Sequence, residues 1–207
     1  LNNNYTKEEN TLNWFIKSNI VSRNEMILHD IDLPKNRPSF NKLIKYSRHV
    51  NPPIKKYNYL FKFFFSGFNL IFKALGNLLL GKLHLPILLG DYIDDLSFKF
   101  SDRKYIAKNY FFNNSMWIYR PIWTYEAEKK GSNVTFYFYS TNIEPFKRKN
   151  SHKIDYNYWH LSTWSKYLVW DQYQKEFIQN ENKFAKNISL VGPIWMNDTE
   201  KTIPELP

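Results

Sequence analysis

The sequence predicts an α/β fold in which a parallel sheet carries helices on both faces and helical additions on its amino-terminal side. Three stretches predict it. From Val134 to Tyr139 every residue is β-branched or aromatic, so both faces of the strand are largely apolar, as an interior strand of a covered sheet requires. Just before it, Pro121 to Lys130 reads as a helix. Pro121 fits only a first turn, Trp123, Ala127 and Lys130 follow at helical spacing, and Gly131 supplies the left-handed residue that ends the run. Further on, Lys166 to Trp170, a helical run capped by Asp171, and Asn187 to Ile194 repeat strand, helix, strand. That alternation calls for parallel pairing with right-handed crossovers.

The chain has 207 residues, enough for one sizeable domain with a proper core. Leu1 at the start and a polar, proline-bearing end predict a piece of a longer protein. No cysteine is present, which removes disulfides, thiolate metal sites and a thiol nucleophile together. The five histidines, His29, His49, His84, His152 and His160, show no paired ligand spacing, so no metal site is expected. A formal charge of +10 asks for nucleic acid, anionic lipid or a phosphate-bearing small molecule, or reflects nucleotide bias in the encoding genome with no functional demand.

Taken in order, residues 1–56 form a polar and basic segment packed on the main domain. It holds a short helix with Thr6 as cap, a strand over Met26 to Leu28, and a helix-like run from Phe40 to Arg48 between prolines 34, 38, 52 and 53. Residues 57–195 form the main domain. Its opening stretch, Leu60 to Leu89, is the most apolar part of the chain, yet Lys62, Lys73 and Lys82 interrupt it, so it does not span a membrane. A buried core helix with Gly67 and Gly76 marking close packing is the preferred reading, and an interfacial helix contacting a membrane peripherally is the other. No charged region with a cleavage site suggests a secretory leader. Asp91, Asp94 and Asp95 read as a capped helix start more readily than as a metal or general-base cluster. Asn109 to Phe112 is the first strand of the alternating part. The helix after Asp171 places Tyr173, Phe177 and Ile178 on one side.

Ligands of an open α/β sheet sit beyond the carboxyl ends of its strands. Three such ends can be named. They offer Asn113, Asn114 and Ser115 with Arg120 across the loop, then Ser140, Thr141 and Asn142, then Asp171. Amides, hydroxyls and a guanidinium suit a sugar or a phosphate, although the same residues are the usual occupants of turns. Glu126 and Glu128 lie two apart on a helix and cannot act as a close pair, so at most one faces a cleft as general base. There is no GxGxxG, no GxxxxGK[ST], no GxSxG and no HExxH. Nor is a nucleic-acid-binding motif present, which disfavours that partner.

Residues 110–142 (YFFNNSMWIYRPIWTYEAEKKGSNVTFYFYSTN), then WSKYLVWDQYQKEFI and ISLVGPIWMND, resemble the amino-terminal half of bacterial surface-polysaccharide proteins with a GT-B-like glycosyltransferase architecture. The resemblance implies a Rossmann-like domain on the acceptor side of a two-lobed cleft, with Gly192-Pro193 as hinge and 196–207 as linker to a second domain. It also implies sugar transfer from a nucleotide-activated donor, bound in that second domain, to a glycan or lipid-linked acceptor at the inner face of the cytoplasmic membrane. This half, which needs no cofactor of its own, is expected to be inactive alone. Within the resembling motif, Arg120 is the implied anion or acceptor contact and Glu126 the implied base.

Overall fold

A computed structural model of the protein describes residues 27–29, 45–47, 50–112, 120–138 and 162–192. The chain divides into two compact units, 1–50 with 192–207 and 51–191. In the first, β1 (Ile27–His29) pairs in parallel with β2 (Lys45–Ser47), Ile27 opposite Lys45. The second strand corrects the helix expected over Phe40 to Arg48. Local helix propensity is a weak prior, and pairing with a distant strand overrides it here.

The second unit opens with α1 (Tyr57–Leu79), the short α2 (His84–Ile87) and α3 (Leu89–Phe100). There follow β3 (Asn109–Phe112), α4 (Trp123–Lys129), β4 (Asn133–Tyr137), β5 (Lys166–Val169), α5 (Gln172–Glu181) and β6 (Asn187–Leu190). The four strands form one sheet in the order β3-β4-β5-β6, every pair parallel. This is the α/β parallel sheet that the alternation predicts.

Register sorts the strand residues by face, since partners in a parallel pair point the same way. Tyr110 pairs with Val134, while Phe112, Phe136, Tyr167 and Ile188 run across the sheet as one row. On this face lies the core: Val134, Phe136, Phe138, Trp164, Tyr167 and Val169 from the sheet and its flank, with Ile178 from α5. Trp123 of α4 joins the same side, its ring 5.0 Å from Tyr110 and 5.9 Å from Phe112. Both crossover helices therefore share a face, as a sheet wound in one direction demands of right-handed connections. On the other face, the Phe111 and Tyr137 rings stack at 5.8 Å and Tyr137 is fully buried.

Two helices end as their glycines dictate. Gly131 takes φ 84°, and the bonds Gly131 N–H to Glu128 O (2.8 Å) and Ser132 N–H to Ala127 O (3.0 Å) close a Schellman motif after α4. Gly81, at φ 69°, closes α1 the same way, with Lys82 N–H donating to Asn77 O at 2.8 Å.

The preferred reading of Leu60 to Leu89 is corrected. Within α1 only Ala74 is buried, and a Cβ added to Gly67 or Gly76 would meet nothing within 4 Å. The helix touches α2 and α3 along one stripe and leaves the rest uncovered. No helix among the described residues is long and apolar enough to cross a membrane.

Candidate functional site

Between α3 and α4 the structure assembles a pair of carboxylates. Phe98, fully buried on α3, stacks on Trp123 at 4.6 Å and locks the two helices together. Asp95 stands three residues before Phe98 and Glu126 three after Trp123, one helical turn from each ring, so the stack carries the acids to the same junction. Burial, and then the charge of Glu126, push Asp95 up to about 6, while Lys129 and Lys99 pull in the opposite direction. Glu126 itself is ion-paired with Lys129, one turn on, and this contact raises the proton affinity of that lysine. Lys130 turns the other way. Its ammonium donates to the carbonyls of Lys99 and Ser101, capping the end of α3, and burial lowers its proton affinity.

The three aspartates do not cap a helix start, because α3 begins at Leu89, ahead of them, after Leu88 with no side-chain cap. Asp91 occupies the first turn, where the dipole favours an acid; burial, then Asp94, raises its proton affinity. Asp94 accepts from Asn51 Nδ2 at 2.6 Å. Asp95 is thus the residue that sequence reasoning grouped with its neighbours and set aside. Its signal was there: a carboxylate three residues ahead of an aromatic on the inner side of an amphipathic helix.

Arg120 belongs to a separate network. Its guanidinium is buried, over the Tyr125 ring at 4.0 Å, and its donors go to Thr124 Oγ1 (2.8 Å), Thr163 O (2.6 Å), Ser165 Oγ (3.2 Å) and the Glu128 carboxylate. Ser165 donates to the same carboxylate. The residue thereby ties α4 to the segment entering β5, and Glu128, not Glu126, is its partner. Asp171, at a third strand end, is occupied as the α5 cap, accepting from Gln174 N–H at 2.8 Å. Asn113, Asn114, Ser115, Ser140, Thr141 and Asn142 lie outside the described residues. Among the described residues, no group of three or more His, Asp or Glu could hold a metal ion.

Chemically, the arrangement makes Asp95 a carboxyl able to take up or release a proton near neutral pH. A carboxyl that titrates near 6 is largely ionised at neutral pH, yet basic enough to take a proton from a hydroxyl as that hydroxyl attacks. Compared with family models, residues 62–207 match the model for polysaccharide biosynthesis PFTS motif proteins. No curated protein and no solved structure matched. With the match spanning most of the chain, from within α1 through the whole parallel sheet, the protein belongs to the polysaccharide biosynthesis PFTS motif family and has a role in polysaccharide biosynthesis.

Proposed function

We propose that the protein takes part in polysaccharide biosynthesis as the acceptor-side lobe of a GT-B-like glycosyltransferase. It presents a glycan or lipid-linked hydroxyl to a nucleotide-activated sugar held by a second lobe. The observation that carries the reading is the carboxylate pair of Asp95 and Glu126 on a parallel α/β scaffold in a chain of this family. Glycosyl transfer with a protein base needs a carboxylate within reach of the acceptor hydroxyl, and its proton affinity should lie near the working pH. Asp95 has that affinity because burial, and then the charge of Glu126, raise it. In this reading Asp95 accepts the proton, and Glu126, held by Lys129, keeps its affinity high. The amides and hydroxyls at positions 113–115 and 140–142 contact the acceptor.

The full-length gene product, incubated with a panel of uridine, guanosine and cytidine nucleotide sugars and a lipid-linked acceptor pool, is expected to consume one donor and extend one acceptor by mass spectrometry. Asp95→Asn should lower turnover by roughly 10²–10⁴-fold with donor affinity unchanged. Absence of binding and turnover with every donor would overturn the proposal, and so would an Asp95→Asn variant of full activity.

A further inference from the structure

We propose that α1 and the segment following it through Ile87 lie flat on the surface of an anionic lipid bilayer. This inference stands on a different observation from the proposed activity. Along α1, Phe61, Phe65 and Phe72 are 74%, 68% and 70% exposed, and Phe64, Phe68, Leu75 and Leu79 are exposed with them. At 100° per residue these positions fall on one side of the helix, opposite Ala74. The uncovered side continues through Leu80, Leu83 and Ile87.

Charge complementarity names the occupant. From Asn51 to Gly90 there is no acidic residue, whereas Lys55, Lys56, Lys62, Lys73 and Lys82 are spread along the stretch. Lys62 and Lys73, close to three full turns apart, share one flank of the apolar side. Aromatic and leucine side chains that enter the boundary of acyl chains and headgroups, with lysines extended to lipid phosphates beside them, are how an interfacial helix binds. A second copy of the chain fits worse, because joining two such faces brings Lys62, Lys73 and Lys82 of both copies together with no acidic residue in either stretch from Asn51 to Gly90. Nucleic acid would satisfy the lysines and leave the phenylalanines in water. Crossing the bilayer is excluded by the same lysines, and no described helix meets that requirement.

The test is flotation of the full chain with phosphatidylcholine vesicles and with vesicles containing phosphatidylglycerol as well. Binding is expected only to the anionic vesicles, weakened by salt. Phe65→Glu with Phe72→Glu should reduce the bound fraction about tenfold or more, and Lys62→Glu with Lys73→Glu should remove its dependence on phosphatidylglycerol. These side chains are exposed, so circular dichroism should stay at wild type. A Phe68→Trp variant gives an independent reading, with blue-shifted emission on anionic vesicles. Failure to float with either vesicle overturns the proposal, as does flotation unaffected by both double substitutions. A dimer dispersed by Phe65→Glu, in a protein that ignores vesicles, would assign the face to a second copy instead. Sugar transfer from a soluble acceptor would be untouched by any of these outcomes, so the two proposals fail separately.

Discussion

The charge of Glu126 on α4 reaches Asp95 on α3 across a helix junction and raises its proton affinity beyond what burial alone achieves. The direction fixes how stability depends on pH. An acid whose folded-state affinity is raised adds most to stability below its unfolded value and loses that contribution as pH rises through the folded one. Between pH about 4 and about 6 the wild type should therefore lose stability from this site. Asp95→Asn should be about 1 kcal/mol more stable than wild type at pH 7.5, after allowance for partial contact with water, and equal to it below about pH 4. Urea unfolding at both pH values checks this. Glu126→Gln should move the Asp95 titration to lower pH, read from its carboxyl carbon by NMR.

Arg120 holds two segments together: α4, through Thr124 and Glu128, and the Thr163 and Ser165 positions that lead into β5. Arg120→Ala strands a partly buried carboxylate, and a loss of about 2–4 kcal/mol is expected in chemical denaturation. Arg120→Lys should recover little of it, since an ammonium lacks the planar fork that reaches a carbonyl, a hydroxyl and a carboxylate together.

What the sequence could reveal follows from the range of each cause. Gly131 was readable because a left-handed residue after a helix is a local demand, and β3 because its aromatic run stops at the turn-forming residues Asn113, Asn114 and Ser115. Asp171 was readable as a cap, but the inner face of α5 was misjudged: Tyr173 is 82% exposed, and Gln174 is buried in its place. Apolarity suggested the tyrosine, whereas Gln174 is drawn in because its Oε1 accepts from Trp170 N–H at 2.8 Å. For α1, the helical period was legible and the missing cover was not, since periodicity says which side is apolar and nothing about what lies against it. The position of Asp95 on an inner helix face was legible, and its raised proton affinity was not, for a similar reason. That affinity comes from burial and then from Glu126, both of which follow from the packing of Phe98 on Trp123 between two helices.

The Asp171 cap and the returning Gln174 side chain satisfy two backbone donors at the start of α5. Asp171→Ala should cost about 1 kcal/mol, and Asp171→Asn only a few tenths, because asparagine keeps an acceptor oxygen in the same place. Thermal unfolding of the two variants, compared at one pH, distinguishes a hydrogen-bonded cap from a general effect of negative charge.

Tyr167 supplies the last prediction. Its hydroxyl meets Ser162 Oγ at 2.7 Å, Trp164 N–H at 3.3 Å and Asn182 Nδ2 at 3.0 Å, all beneath the sheet face where no water reaches. Tyr167→Phe keeps the ring and removes the shared oxygen. Asn182 Nδ2 retains Ser162 O, but the Trp164 amide loses its acceptor, so about 2–3 kcal/mol should be lost. Burial raises the phenol above its ordinary 10.0 more than these donors lower it. By the same sign rule, the hydroxyl contributes fully at neutral pH and loses its contribution only as alkaline pH ionises it. The gap between wild type and Tyr167→Phe should therefore be constant from pH 6 to 9 and narrow above about pH 10. A gap that changes between pH 6 and 9 would place the coupling in some other titrating group and not in this hydroxyl.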